Sequence, residues 1–167
     1  MHRDNPDAKR RERRLHRAVY EDYADDPLPS RSKRGRFHDA DPIGGATSYL
    51  AATPGTAWRE VESNFFHAKA DPTAYRMCEI VVKIEAFADL TDPRVQEEYG
   101  VDRRILTGEH QACRTLAARL REDGFEGLWT YSAADSPHGR TLVLFLDLLS
   151  SDSWVHVEVM KDVDIRT

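Results

Sequence analysis

Polarity alternates most clearly in residues 77–87. Cys78, Ile80, Val82 and Ile84 fall on one side, and Met77, Glu79, Val81 and Lys83 on the other. Period two predicts a strand with the first face buried. Leu15-His16-Arg17-Ala18-Val19-Tyr20 alternates in part and reads as another strand. Short strands are predicted at 47–52 and 127–132, a strongly apolar, buried one at 141–148, and an alternating terminal one at 154–165. Between them lies helical spacing. Thr53-Pro54 supplies an N-cap and a proline at the first helical position. Trp58, Val61 and Phe65 then recur at spacings of three and four, which predicts a helix over 54–66 with that stripe buried. At about 100° per residue Glu60 falls beside the stripe, at the edge of whatever the helix packs on. Residues 92–99 predict a short helix. Residues 108–123 predict a longer one, with Ala112, Cys113, Leu116, Ala117 and Leu120 as its stripe and Gly124 as its stop. Many strands with few helices between them predict an α+β fold rather than a doubly wound parallel sheet.

Two segments break the pattern. Residues 1–13 carry no apolar period and read as a basic, flexible tail, leaving 14–167 as one domain. Residues 25–45 form a long polar stretch with Pro27, Pro29, Gly35, Pro42, Gly44 and Gly45. Loops of about twenty residues are uncommon in compact domains and are often functional.

Charge is unevenly spread. Residues 1–36 hold eleven Lys/Arg against seven Asp/Glu, and the remainder thirteen against twenty-two, within a net charge of -5. The run Lys9-Arg10-Arg11 has no aromatic residues for base stacking, so it reads as a solvated arm and direct nucleic-acid binding is not expected. No run of about eighteen apolar residues exists, so no membrane-spanning helix is expected. The charged start lacks a signal-peptide core, and two lone cysteines, Cys78 and Cys113, make neither a disulfide framework nor a CxxC metal site. A reducing cytoplasm fits.

The familiar site motifs are absent: GxGxxG after a strand, GxxxxGK[ST], HExxH and GxSxG. The seven histidines are scattered, so no metal site is predicted. Cys113 lies on a helix stripe and reads as core. What remains is a set of polar residues beside apolar structure. Arg17 sits in a mostly apolar strand. Arg34-Gly35-Arg36-Phe37-His38 is followed by Ser48-Tyr49-Leu50-Ala51 and the helix carrying Glu60. Trp129-Thr130-Tyr131-Ser132 runs into a polar loop ending Gly139-Arg140. Each has an ordinary reading as well: an edge-strand arginine, a core tyrosine, a solvated glutamate, and a serine bonded to its own turn.

Taken in order, these strings resemble the RES domain. The resemblance rests on Gly35-Arg36-Phe37, then Ser48-Tyr49-Leu50-Ala51-Ala52-Thr53-Pro54 with Ala57 and Glu60. His16-Arg17-Ala18-Val19-Tyr20 looks like the family's opening strand. Gly124-Phe125-Glu126-Gly127-Leu128 and Leu142-Val143-Leu144-Phe145 look like its closing segment. His38 stands where many members have asparagine or aspartate. The family's arginine is carried by Arg17, Arg36 or both. The resemblance implies a fold like that of ADP-ribosyltransferases, with compact mixed or antiparallel sheets and a few flanking helices. It implies a toxin that acts on NAD, by hydrolysis, phosphorolysis or ADP-ribosylation of a protein, and an Xre-type helix-turn-helix antitoxin as partner. A non-catalytic RES-like binding module is the remaining alternative.

The residue types suit that chemistry. Cleavage of the nicotinamide–ribose bond passes through an oxocarbenium-like state. Glu60 can stabilise it and orient the acceptor. Arg17 and Arg36 can hold phosphate oxygens in bidentate fashion. Tyr49 offers a flat face and a hydroxyl. Ser132 can bond the carboxamide or a phosphate oxygen. Glu60, Tyr49 and Arg36 are the expected catalytic set; Arg17, Arg36, Tyr49 and Ser132 are the expected NAD-binding set.

Overall fold

A computed structural model describes residues 12–32, 34–39, 46–65 and 70–164. Seven strands form one mixed sheet: β1 Glu12–Tyr20, β2 Thr47–Ala51, β3 Tyr75–Lys83, β4 Phe87–Asp89, β5 Gly127–Tyr131, β6 Arg140–Phe145 and β7 Trp154–Asp162. The order across the sheet is β4-β5-β6-β2-β1-β3-β7. β4 and β5 run parallel and every other neighbour pair is antiparallel. Among the described residues four α-helices join them: α1 Pro54–Glu62, α2 Pro93–Tyr99, α3 Arg103–Leu106 and α4 His110–Glu122. This is the α+β class expected from the pattern.

The sheet is not evenly stitched. β1 pairs with β3 along its whole length, and β2 with β6 likewise, but β1 and β2 meet in register only at His16 and Ala51. The sheet therefore divides into β1-β3-β7 and β2-β6-β5-β4. Arg17, the next residue along β1, stands where the two halves part.

Two cores hold the halves in place. α4 lays Cys113, Leu116, Ala117 and Leu120 against Leu128, Val143 and Phe145. The stripe is the one its spacing predicts, and Gly124 closes it with φ 89°. The second core takes Leu15, Cys78, Ile80 and Val82 from one half-sheet and Leu50, Leu142 and Leu144 from the other, so it ties the halves across the gap. Truncating one such buried leucine to alanine costs about 2–5 kcal/mol. β3 buries Cys78, Ile80 and Val82 as its alternation predicts. Met77, on the opposite face, is buried too, because α1 covers it with Ala57 and Ala51.

Several boundaries differ from the expectations. β1 starts at Glu12, so Glu12 and Arg13 of the expected tail pair with Lys83 and Val82; residues 1–11 lie outside the described residues. α1 begins where Thr53 caps it, its hydroxyl accepting from the Thr56 N–H at 3.1 Å. It ends at Glu62, and Phe65 is exposed rather than core; Phe66 lies outside the described residues. The packed face of α1 is Thr56 and Ala57, whose small side chains let the helix approach the sheet; the larger Trp58 and Val61 flank it, partly buried. Glu60 follows Thr56 and Ala57 at spacings of four and three, so it faces inward with them. The strongly apolar strand stops at Phe145 and turns into a 3-10 helix, Leu146–Leu148. The terminal strand ends at Asp162, and Ile165 lies outside the described residues. β4 and α3 have three and four residues, too short for a period to register.

Candidate active site

Side chains directly opposite across antiparallel strands share a face. Tyr49 faces Val143, Ala51 faces Thr141, and Thr141 faces Thr130, so these residues of β2, β6 and β5 form a common floor. α1 rises on one side with Glu60, and the loop after β1 on another with Pro27, Pro29 and Gly35. The segment from Tyr131 to Ala134 completes the walls. The cleft has a volume of about 710 Å³ and its lining includes Arg17, Arg36, Tyr49, Glu60 and Ser132. That is the size of a typical small-molecule site. All five residues singled out in the sequence meet there.

Glu60 is half-buried, with both its bonded donors on one oxygen. Oε1 accepts from Thr141 Oγ1 at 2.6 Å and from Ser132 Oγ at 3.1 Å. Burial pushes its pKa above the ordinary glutamate value, the two hydroxyls and the Arg17 charge oppose that, and nearby Asp135 adds to the rise. Two hydroxyls donating to one oxygen suit the ionised carboxylate.

Arg17 fills the gap between the half-sheets. Its Nε donates to the Pro27 carbonyl at 2.8 Å, Nη1 to the Tyr49 carbonyl at 3.1 Å and Nη2 to the Pro29 carbonyl at 3.2 Å. One guanidinium thus bridges β1 to β2 by one bond and pins the loop after β1 by two. Three of its five N–H groups are spent on backbone, leaving two. Burial lowers its pKa, and the Glu60 charge raises it.

Tyr49 turns its hydroxyl away from Glu60, toward the loop. The oxygen accepts from the Phe37 N–H at 3.0 Å and lies 2.7 Å from His38 Nδ1. His38 Nε2 lies 2.9 Å from the Ser32 carbonyl, which can only accept. In the neutral imidazole Nε2 therefore carries the proton and Nδ1 accepts from the tyrosine. Burial pushes the Tyr49 pKa up to about 12, so the phenol is neutral at physiological pH. Gly35 is required here: a Cβ would lie 2.4 Å from His38 Cε1 and 2.6 Å from the Tyr49 hydroxyl. Arg114 Nε fastens the same turn through the Gly35 carbonyl at 2.9 Å.

Arg36 lies on the Phe37–His110 side of the cleft, where Nη1 donates to the Gly108 carbonyl at 2.5 Å. Ser132 is buried and held from both ends, by Glu60 and by its N–H bond to the Gly139 carbonyl at 2.9 Å. Asp135 clamps this loop to α1, accepting from Thr56 Oγ1 at 2.6 Å and pairing with Arg59 at 3.4 Å.

Sequence reading missed Thr141, Asp135 and the part played by His38. Thr141 carried one signal, a lone hydroxyl opening the apolar run Leu142-Val143-Leu144-Phe145. Asp135 and His38 carried none, because their partners are remote in sequence or sit in an irregular loop. Among the described residues no three His, Cys, Asp or Glu side chains group as metal ligands, and no helix is long and apolar enough to cross a membrane. Cys78 and Cys113 are both free and buried.

Comparison with known proteins adds the family. No curated protein sequence matches the chain. Among solved structures, a chain in the crystal structure of the M. tuberculosis MbcT–MbcA toxin–antitoxin complex superposes with a TM-score of 0.75 at 20% identity, over 93% of this chain and 86% of that one. The RES domain model matches residues 11–158, a span holding β1 to β6, the start of β7 and every residue of the cleft described above, and the chain belongs to the RES domain family.

Proposed function

We propose that this protein breaks the nicotinamide–ribose bond of NAD and is the toxin of a toxin–antitoxin pair. The observation that carries the reading is the desolvated Glu60 carboxylate, oriented by Thr141 and Ser132, sharing one cleft with Arg17, Arg36 and Tyr49. In the reaction the bond from ribose C1′ to the pyridinium nitrogen breaks. Its electron pair leaves with nicotinamide, which departs neutral and needs no general acid. Positive charge is left on the ribose, and among the described residues lining the cleft Glu60 is the acid that can meet it, held rigid by its hydrogen bonds. Water or inorganic phosphate then adds to C1′, and the acceptor's proton passes to Glu60 or solvent.

The two unspent Arg17 N–H groups and the Arg36 fork are suited to the pyrophosphate. Tyr49 offers its ring, since its hydroxyl is occupied by Phe37 and His38. The partner reading rests on RES membership and on the solved neighbour, which is a toxin–antitoxin complex. A small helix-turn-helix protein of the Xre type, encoded beside this chain and acting in the same cytoplasm, is the expected antitoxin.

The test is incubation of the purified protein with labelled NAD, with and without phosphate. Free nicotinamide plus ADP-ribose, or its 1-phosphate, supports the reading and identifies the acceptor. A labelled protein band would replace it with ADP-ribosyl transfer. Intact NAD would overturn it.

A further inference from the structure

The cleft runs beyond Glu60 and Arg17 to a cluster of tyrosines that the chemistry above does not use. Tyr20 ends β1, Tyr23 ends the short 3-10 helix Glu21–Tyr23, and Tyr75 begins β3. All three line the same cleft as Glu60. Tyr20 and Tyr75 are cross-strand partners with ring centroids 5.6 Å apart at 70°. Tyr23 meets Tyr20 at 6.3 Å and 61°, and Trp58 of α1 braces Tyr75 at 5.5 Å and 80°. Each contact is edge-on, so the rings are fixed by packing. Yet Tyr20 is 39% and Tyr23 43% exposed, among the most exposed large side chains of the fold. The Arg31 guanidinium lies 4.6 Å over the Tyr23 ring and covers one of its faces.

Position supplies the second argument. Tyr20 lies three residues along β1 from Arg17, about 10 Å at strand spacing; the two side chains leave opposite faces of the strand, and both line the cleft at the split of the sheet. Arg17 acts electrostatically on Glu60. A ligand with its reactive ribose at Glu60 and its phosphates at Arg17 would bring a group one nucleotide further along to the tyrosines. Resting on the proposed NAD reading, we infer that the Tyr20–Tyr23–Tyr75 cluster is the adenine end of the cleft. The purine lies against these rings, held by stacking rather than by hydrogen-bonded readout of its edge.

Two measurements test this on the full chain. The first compares NAD with nicotinamide mononucleotide, which has the same scissile bond but no adenylate. Base–aromatic stacking is lost on alanine substitution. Tyr23→Ala and Tyr20→Ala should each lower the preference for NAD over the mononucleotide, as a ratio of kcat/KM values, by about five- to a hundredfold. Tyr23→Phe should keep it. An equal loss on both substrates, or an unchanged ratio in both alanine variants, overturns the inference. The second is calorimetric binding of ADP-ribose, which carries adenine and pyrophosphate but no bond to cleave. Its Kd should rise by the same factor in Tyr23→Ala. If NAD is consumed while ADP-ribose affinity is unaltered, the adenine assignment falls and the catalytic reading stands. If ADP-ribose affinity falls in the variant while wild type never consumes NAD, the catalytic reading falls and the assignment stands.

Discussion

Thr141→Val removes one hydroxyl from the site and little else. The residue is 4% exposed on β6, and valine keeps both the branched shape and the strand preference. What is lost is the 2.6 Å bond to Glu60 Oε1, the shorter of the two that hold the carboxylate. That bond favours the ionised form, so losing it lets burial push the Glu60 pKa still higher. A hydrogen bond to a charged group contributes about 1.5–3 kcal/mol. The assay is kcat/KM for NAD against pH, whose acid limb reports the free enzyme's ionisation. The limb should move to higher pH in Thr141→Val and stay in place in Thr141→Ser. Ser132→Ala, losing the longer bond, should give a smaller shift in the same direction. A Thr141→Val profile that falls in height but keeps its acid limb would show that Thr141 serves packing only, and would refute the carboxylate argument.

Other outcomes follow from the same geometry. His38→Ala should leave the Tyr49 O–H without an acceptor and the Ser32 carbonyl without its His38 donor, and cost about 1–3 kcal/mol in a chemical melt, with NAD turnover falling alongside. His38→Asn, which keeps a donor and an acceptor, should recover much of both. Arg17→Lys should destabilise by about 2–4 kcal/mol, because one ammonium cannot reach three diverging carbonyls. Arg36→Lys, with one carbonyl bond at stake, should melt close to wild type and show its effect in KM for NAD. Leu120→Ala should lower stability by about 2–5 kcal/mol through the α4 core, leaving KM for NAD unaltered in the folded fraction.

The parts of the fold legible in the sequence are those whose cause is local. The Thr53-Pro54 cap, the alternation of Cys78, Ile80 and Val82, and the stripe on α4 each depend on neighbours a few residues away, and each is found where the pattern puts it. The inward face of α1 was misjudged for a physical reason. Hydrophobic spacing favours Trp58, Val61 and Phe65, whereas close approach to the sheet needs the small Thr56 and Ala57, and these carry Glu60 in with them. The long polar loop gave no period because its order comes from remote partners: Arg17 on its carbonyls, Tyr49 and Arg114 on its turn. Residue types alone also could not separate Arg17 from Arg36. Burial and bonding do, since the first is tied into backbone at the split of the sheet and the second lies across the cleft, bonded to a single carbonyl.

The central claim is that Glu60 acts as a desolvated carboxylate on the ribose of NAD. Its raised pKa means that the ionised form weakens the fold at neutral pH; the penalty is absent below the unfolded-state pKa and grows as pH rises through the folded one. Glu60→Gln removes that penalty while keeping an oxygen for Thr141 and Ser132. The decisive measurement is nicotinamide release from NAD by wild type and Glu60→Gln at neutral pH, with thermal melts of both. The account predicts a melting temperature no lower than wild type and a rate reduced at least about 10²–10³-fold. Near-wild-type release by a folded Glu60→Gln protein would contradict it.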